Sequence, residues 1–267
     1  MEHIPVIELF SIGTELILGQ IQDTNAHWIA QQILQLGGTL RRATMLRDEA
    51  DEMLEALEDS VARKTDLILT TGGLGPTPDD MTVEIVANII GTRQVVHEET
   101  MAAFMERRQL KSSDELSTAA IKMATVPETA EVFQNPAGWA PCISVIKDES
   151  TICMMPGPPR EMKAIFDAHV ASLIAKRYSA KIATLRVYVS MFEAEVSPLL
   201  QQVMGKYPDV YLKAYVALRR TDGKYMPVDL VSTGTDEEHA QTQLQEAVDY
   251  FRHLVTEKGK VFSLEEE

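Results

Sequence analysis

Apolar and polar positions follow two alternating periods over the first ninety residues. Short apolar runs at 6–11, 39–46 and 67–69 predict buried strands, since each is too short for a typical helix. Between these runs, apolar residues recur every three or four positions, as a helix with one buried face requires. The residues predicted on those faces are Ile29, Ile33, Leu36, Leu54, Leu57 and Val61. Strands alternating with helices predict an α/β domain with a mostly parallel, doubly wound sheet and right-handed crossovers.

Helical spacing also dominates the middle of the chain. We predict helices at 98–110 and 114–124, the first packed through Met101, Phe104 and Met105. A third helix follows the proline-rich loop that begins at Met155, and that loop again links a strand to a helix.

The order of elements changes beyond residue 180, where the pattern predicts strand, helix, strand, strand and helix. A turn at 221–224 would join the two strands of a hairpin, and Asp236 would cap the last helix. The sequence therefore predicts two domains: residues 1–178, and a small β-α-β-β-α domain at 179–267.

Composition narrows the class of protein. Of the 267 residues, 45% are hydrophobic and 24% are charged, which is typical of a globular domain. No apolar run reaches the roughly 18 residues of a membrane span, and no signal segment begins the chain, so we expect a cytoplasmic protein. The net charge of −15 argues against nucleic acid as a partner.

Cysteine and histidine offer little metal chemistry. The six histidines are scattered, and the two cysteines, Cys142 and Cys153, are too few for a zinc cluster or a disulfide framework. If residues 143–145 and 151–155 form a hairpin, both cysteines would face the same side of it. We expect a packing role for them, with a redox pair as the alternative.

The stretch Thr70–Glu84 combines chemistry that turn formation alone does not need. It lies between a predicted strand and a predicted helix, where α/β proteins bind phosphates. Its glycines allow positive φ and close approach of a ligand to the backbone. Asp80 and Glu84 stand four residues apart, so we expect both carboxylates on one face of the first helical turns, where they suit a divalent cation.

A purely structural interpretation of this stretch stays open. Asp79 or Asp80 can be the N-cap of the helix, and the glycines can form a tight turn. The stretch is neither a Walker loop, since no Gly-Lys-Ser/Thr follows, nor the dinucleotide fingerprint.

Loops after the first three predicted strands all lie at the carboxyl edge of the sheet, where ligands bind in such folds. Six acids lie on these loops and are predicted to converge: Glu15, Asp23, Asp48, Asp79, Asp80 and Glu84. For Asp23 and Asp48, helix capping is the alternative.

Four separated motifs resemble the competence/damage-inducible protein CinA family. They are Ser11–Asn25, Thr70–Asp80, Asn135–Pro141 and Pro156–Met162, and they occur in the family's order. The resemblance runs from about Val6 to Phe262. The N-terminal domain of that family is similar to the molybdopterin-binding MoaB/Mog domain.

This resemblance implies a three-layer α/β/α domain with a mostly parallel sheet, a second, smaller α+β domain, and a homo-oligomer, usually a dimer. Members of the CinA family hydrolyse ADP-ribose to AMP and ribose 5-phosphate with a divalent metal, and potassium is also implicated. Magnesium, manganese or cobalt suits a carboxylate site. The related molybdopterin enzymes adenylylate their pterin, so both activities act on a phosphoanhydride.

The resemblance also implies roles for individual positions. The phosphate-holding positions are Gly72, Gly73, Gly75 and Thr77. The metal-binding and catalytic positions are Asp80 and Glu84. Further positions that would line the same cleft are Glu15, Asp23, Asn135 and Glu161.

The chain departs from the family pattern in several places. Cys142 stands where the family usually has glycine, and residues 190–194 read Ser-Met-Phe-Glu-Ala where it has a Gly-x-Gly-Glu-Ser-like stretch. The chain also stops at Glu267, before the nicotinamide mononucleotide amidase domain of many members, so we expect that activity to be absent. The sequence leaves three functions open: a pyrophosphatase, a module that binds molybdopterin or a nucleotide without hydrolysis, and a structural oligomer.

Overall fold

The computed structural model describes residues 5–178, 180–218 and 225–265. The chain divides into two compact units, residues 1–178 and 179–267. The predicted turn at 221–224 lies outside the described residues.

The described part of the first unit, residues 5–178, contains eight strands and eight α-helices. Its strands are β1 (Ile7–Ile12), β2 (Leu40–Leu46), β3 (Leu67–Thr71), β4 (Gln94–Val96), β5 (Thr125–Pro127), β6 (Glu131–Phe133), β7 (Cys142–Lys147) and β8 (Ser150–Met155). Its helices are α1 (Thr14–Ile17), α2 (Thr24–Gln35), α3 (Ala50–Ala62), α4 (Thr82–Ile90), α5 (Glu98–Arg108), α6 (Thr118–Met123), α7 (Pro159–Ile165) and α8 (Ala171–Ala175). A π-helical segment, Phe166–Val170, joins α7 to α8.

Six strands form one sheet in the order β2-β1-β3-β8-β7-β6. Strands β2, β1, β3 and β8 are parallel, whereas β7 runs antiparallel to both of its neighbours. The sheet is therefore mostly parallel, as predicted. The carboxyl ends of the central strands align, with Ser11 opposite Thr71 and Thr71 opposite Met155.

Side chains of β1 alternate between two apolar layers because successive residues of a strand point to opposite faces. Ile7 and Leu9 pack in the layer that holds Ile29 and Ile33 of α2, together with residues of α7 and α8. Phe10 and Ile12 pack in the layer built on α3 and α4. Helices thus cover both faces of the sheet, which confirms the predicted three-layer α/β/α fold.

One carboxylate is buried at the amino end of β1. Glu8, only 1% exposed, pairs with Arg42 of β2 at 2.6 Å and with Arg63, just after α3, at 2.7 Å. The hydroxyl of Ser60 donates a further hydrogen bond to it, at 2.9 Å. The group ties β1, β2 and α3 together at the edge opposite the carboxyl ends of the parallel strands.

A small satellite cluster sits beside the sheet. Phe104 of α5 packs with Leu116, Ala120 and Ala124. The predicted helix at 114–124 was too long, because a 3₁₀ turn occupies Ser113–Glu115 and the helix begins only at Thr118. The cause is local: the Ser117 hydroxyl accepts a hydrogen bond from the Ala120 N–H and fixes the N-cap there.

The second unit is the predicted α+β domain. Its elements are β9 (Lys181–Val189), α9 (Glu193–Lys206), β10 (Val210–Ala214), β11 (Met226–Gly234), α10 (Glu237–Glu257) and β12 (Phe262–Ser263). The sheet has the order β10-β11-β9-β12, with every pairing antiparallel. Both helices share one apolar core with the sheet, and Phe251 of α10 is fully buried in that core. The carboxylate of Asp236 accepts the His239 N–H, which confirms the predicted cap.

Candidate functional site

A cavity of about 650 Å³ opens at the carboxyl ends of the central strands of the first unit. Loops after β1, β2, β3 and β8 contribute most of its wall, and the segment before β7 adds Trp139 and Ala140. Five of the six acids predicted to converge line it, together with Glu161: Glu15, Asp23, Asp48, Asp79 and Asp80. The strand ends bring these residues together from positions up to 146 residues apart, since 161 − 15 = 146.

The loop after β3 is held by its backbone. Gly72, at φ +100°, donates its N–H to the carbonyl oxygen of Met155 at 3.0 Å, and its own carbonyl accepts the Thr82 hydroxyl at 3.0 Å. A Cβ on Gly72 would overlap the carbonyl oxygen of Ile12, and one on Gly73 would overlap the Thr82 hydroxyl. Both positions therefore require glycine for close packing as well as for their positive φ.

Three consecutive backbone N–H groups of this loop remain for a ligand. Among the described residues, none accepts a hydrogen bond from the N–H of Gly73, Leu74 or Gly75, and all three residues line the cavity. Successive N–H groups in a turn can bind an anion. The N–H of Gly72, in contrast, is already bonded to the carbonyl oxygen of Met155.

Asp80 precedes the helix and does not lie in its first turn. Helix α4 begins at Thr82, and its N-cap, Met81, makes no side-chain cap bond. The predicted common helical face for Asp80 and Glu84 was therefore wrong, and neither Asp79 nor Asp80 is the N-cap. The Asp80 carboxylate instead accepts the Thr77 N–H at 2.8 Å and the Thr77 hydroxyl at 2.6 Å, both through Oδ2.

Thr77 serves the loop and not the cavity wall. Its N–H and hydroxyl both go to Asp80, and its carbonyl oxygen accepts the Asp80 N–H and the ammonium of Lys122. It does not line the cavity.

Glu84 faces a second cavity of about 330 Å³ on the other side of the glycine loop. Asp80 lines both cavities, whereas Glu84 lines only the second. Any ion shared by the two carboxylates would have to sit on that far side of the loop, near Lys122.

Two glycines that line the cavity, Gly13 and Gly75, and a third next to its wall, Gly138, each lie against a carboxylate. A Cβ on Gly13 would lie 2.7 Å from the Glu15 carboxylate, and on Gly75 or Gly138 it would meet that of Asp80 or Glu161. The absence of a side chain at these positions makes room for the acid. The glycines thus place three of the cavity's carboxylates close to backbone.

Asn135 fixes Glu161. It is 1% exposed, and its amide nitrogen donates to the Glu161 carboxylate at 2.7 Å and to the carbonyl oxygen of Ala140 at 2.9 Å. Its Oδ1 accepts the Ala137 N–H at 2.9 Å. Since its groups are all used and it does not line the cavity, Asn135 acts on the site through Glu161.

Asp23 and Asp48 differ in their structural duties. Asp23 caps α2 by accepting the Ala26 N–H at 2.9 Å, and it also lines the cavity. Asp48 caps no helix. Its carboxylate accepts the N–H and the hydroxyl of Thr14 at 2.7 and 2.9 Å, which ties the loop after β2 to the loop after β1.

The charge of the cavity wall is one-sided. Six carboxylates line it, and no lysine or arginine of the described ranges does. The described residues nevertheless include no group of three or more His, Cys, Asp or Glu side chains that could hold a metal ion by themselves. A phosphorylated ligand would therefore have to bring a cation with it or use the loop N–H groups.

Trp139 and Asn25 line the cavity, and residue-by-residue reasoning from the sequence did not single out either. The Trp139 ring packs edge-on against Phe104, with centroids 5.2 Å apart, and the guanidinium of Arg108 lies 5.0 Å from its centroid. Both residues stand inside the motifs that carry the family resemblance, which was the available signal.

The cysteine pair lies in the sheet beneath the site. Cys142 and Cys153 are fully buried on the β7–β8 hairpin, with their sulfurs 3.4 Å apart and both thiols free. The predicted common side is confirmed. Their hydrogen bond, together with burial, holds the pKa of the Cys142 thiol well above its usual range. That environment suits packing, since thiolate is the reactive form.

Comparisons with known proteins agree on the first unit. The profile of the family described as "Probable molybdopterin binding domain" matches residues 8–176. A crystal structure of CinA from Thermoplasma acidophilum, titled as a protein of unknown function, is 29% identical with a TM-score of 0.59. It covers 64% of this chain and 98% of its own.

Two relatives extend the match over most of the chain. One, from Pyrobaculum calidifontis and named only as a protein, is 30% identical across 95% of this chain and 97% of its own length. Another, from Caldicellulosiruptor bescii, is described as a candidate competence-damage inducible protein. It is 32% identical across 92% of this chain, which spans 58% of that relative. These matches confirm the CinA resemblance predicted from the motifs.

No described helix combines the length and apolar character that crossing a membrane requires.

Proposed function

The chain belongs to the family of probable molybdopterin binding domains, and from that premise we propose that it is a CinA-like, metal-dependent pyrophosphatase. The substrate is ADP-ribose or a related nucleoside diphosphate compound, and the products are AMP and a sugar phosphate. The active form is a homodimer.

One observation carries this proposal. Gly73, Leu74 and Gly75, whose N–H groups bond to no described residue, line a cavity whose described wall holds six carboxylates and no basic side chain. Backbone N–H groups at a strand-to-helix loop suit phosphate oxygens. The surrounding acids suit the cation that must accompany those phosphates. A diphosphate bound together with a divalent metal provides partners for both the loop N–H groups and the carboxylates.

The donor set fits a metal shared between protein and ligand. With no three-acid group in the described residues, phosphate oxygens would complete the coordination that Asp80 begins. Asp80 Oδ1 remains for this role, because the two Thr77 hydrogen bonds both use Oδ2. Glu84 is the second candidate ligand, on the far side of the loop. A bound magnesium, manganese or cobalt ion supplies charge neutralisation and acidifies a water molecule; potassium is a further candidate ion.

The protein's own groups handle orientation and protons. Gly73 to Gly75 bind the phosphate oxygens and stabilise charge that develops on them. Water adds to one phosphorus, the bridging P–O bond breaks, and the proton lost by water is accepted by Glu161. Asn135 holds that carboxylate in place. Glu15 and Asp23 line the part of the cavity that receives the remainder of the ligand.

The second candidate function is binding without hydrolysis, with molybdopterin or a nucleotide in the same cavity. The family description favours it directly. It predicts a rise in melting temperature with ligand but no turnover.

The test is release of AMP from ADP-ribose by the full chain, with magnesium, manganese, cobalt or no metal. We expect metal-dependent AMP, reduced at least a hundredfold in Asp80→Asn. The asparagine oxygen can still accept both Thr77 bonds, so the melting temperature should hardly change. Asp148→Asn is the matched control, because Asp148 lies in the β7–β8 turn with φ +53°, which asparagine tolerates.

Glu84→Gln, measured beside these variants, locates the metal. Loss of activity in both acid variants assigns the ion to the second cavity, and loss in Asp80→Asn alone assigns it to the first. Full activity of Asp80→Asn would remove Asp80 from the site. No AMP with any metal, but a melting shift with a nucleotide or pterin, would replace hydrolysis by binding.

A further inference from the structure

We infer that Asn25 recognises a hydrogen-bond donor of the ligand, an O–H of its sugar, beside the phosphate-binding loop. The inference rests on the proposed nucleotide function and adds a specificity residue to it. Asn25 is the second residue of α2, is 8% exposed, and forms part of the cavity wall.

The orientation of the Asn25 amide is fixed by one contact. Its Nδ2 donates to the carbonyl oxygen of Gly157 at 2.8 Å. A carbonyl can only accept, so the nitrogen must be at that end of the amide and the oxygen at the other. The chemistry of the contact therefore settles which end is Oδ1.

That oxygen has no partner in the described part of the chain. Asn25 Oδ1 is buried and accepts no hydrogen bond from any described residue. A buried acceptor without a partner destabilises the folded protein, and most such groups in native proteins are paired. In a cavity wall, a ligand is the natural source of the missing donor.

Phosphate cannot be that partner, because phosphate oxygens are themselves acceptors. The oxygen is also nearly covered, so only a small donor such as a single O–H or N–H can reach it. The donor must therefore belong to the sugar or the ring of the ligand.

The position of Asn25 favours the sugar. Its partner Gly157 packs on the phosphate loop, since a Cβ on Gly157 would lie 3.4 Å from the Cα of Gly72. Gly157 therefore connects Asn25 to Gly72, the residue directly before the three N–H groups assigned to phosphate. Ribose hydroxyls lie close to a 5′-phosphate, whereas the amino group of a base is much farther away. Asp23, two residues earlier, lines the same region.

Thr70 supplies a matched comparison. Its Oγ1 is the other buried side-chain atom without a partner among the described residues, but Thr70 is not among the residues that line the cavity. Thr70→Val removes such an atom with little change of shape, and it should leave ligand recognition unchanged.

The experiment measures calorimetric affinities of the full chain, with magnesium, for ADP, 2′-deoxy-ADP, 3′-deoxy-ADP and IDP. For the unaltered protein, we expect one deoxy compound to bind about tenfold more weakly than ADP. Asn25→Ala should bind ADP about tenfold more weakly, with no further loss for that deoxy compound. Thr70→Val should repeat the preferences of the unaltered protein.

IDP could be the only compound that binds the unaltered protein more weakly than ADP. If that difference then disappears in Asn25→Ala, Asn25 is still the recognising residue, but the donor belongs to the base. Equal affinity of the unaltered protein for all four compounds would overturn the inference and leave Asn25 as a tie to Gly157. That series needs no variant, so equal affinities would overturn the inference even if Asn25→Ala fails to fold. If ADP binds with the deoxy preference but ADP-ribose is not hydrolysed, only the hydrolytic function fails. No binding of any nucleotide would overturn both proposals.

Discussion

Single atoms decide the shape of the cavity wall, most clearly where Gly138 meets Glu161. In Gly138→Ala the new methyl group would overlap the Glu161 carboxylate, which must then leave its hydrogen bond with Asn135. We expect at least a tenfold loss of AMP release from ADP-ribose and a loss of about 1 kcal/mol in the free energy of unfolding. Initial rates and urea unfolding measure the two effects.

Gly205→Ala is the control for this substitution. Gly205 lies in α9, and a Cβ there meets no atom within 4 Å. Alanine is favoured over glycine within a helix by about 1 kcal/mol, so this variant should be slightly more stable and equally active. Activity of Gly138→Ala equal to that of Gly205→Ala would show that Glu161 does not need its present position.

At this scale the sequence predicted the composition of the site better than its contacts. Glycines and acids at the ends of predicted strands indicated Gly73, Gly75 and Asp80, because loops between a strand and a helix commonly bind phosphates. The placement of Glu84 in a second cavity depends on where α4 begins, two residues after Asp80, and no local pattern marked that start.

Among the elements, β1 depends on an ion pair that pH can switch. Burial works to raise the pKa of Glu8, but hydrogen bonds from Arg63, Arg42 and Ser60 lower it to a net value below the usual 4.5. A lowered folded-state pKa stabilises the protein at pH values above the unfolded pKa. That contribution is therefore complete above about pH 4.5 and is lost as pH falls through the folded-state pKa.

The expected consequence is a stability difference between Glu8→Gln and the unaltered protein that is present at neutral pH and shrinks in acid. At pH 7, Glu8→Gln should lower the free energy of unfolding by about 1–3 kcal/mol. The gap from the unaltered protein should narrow as acid is added below pH 4.5. Urea unfolding from pH 7 to pH 3 measures it, with Glu58→Gln on the exposed face of α3 as control. A gap that is constant with pH would mean that the charge of Glu8 contributes nothing.

The periodicity of apolar residues predicted whether a segment is a helix or a strand wherever that pattern was long. The strands of the parallel sheet and helices α2, α3 and α10 were predicted for that reason. The short helix α6 was misjudged because a capping serine interrupted an otherwise helical pattern. The partners of Glu8 lie 34 and 55 residues away along the chain, so spacing alone could not identify them.

For the whole molecule, the separate apolar cores of the two units predict two unfolding events. The apolar cluster of residues 183–255 contains no residue of the first unit. We expect two calorimetric transitions, and Phe251→Ala should lower only one of them, by about 3–5 kcal/mol of unfolding free energy. Magnesium with ADP at 100 times its dissociation constant should raise only the other, by about 2.7 kcal/mol.

A single transition that moves under both perturbations would contradict independent unfolding of the units.

The sequence indicated two units through the change in element order near residue 180, because the order of helices and strands is a pattern that extends over many residues. The one-sided charge of the cavity was less visible. The chain carries 25 basic residues, and only the folded arrangement leaves every described one of them out of that cavity's wall.

The fit of Gly138 against Glu161 also has a consequence for inheritance. Any side chain at 138 would displace the carboxylate at 161, so selection would no longer maintain the acid in a lineage that had replaced the glycine. The reverse order is easier, because losing the acid first leaves room for a methyl group. The two positions should therefore covary as a single inherited character, with the acid disappearing before the glycine.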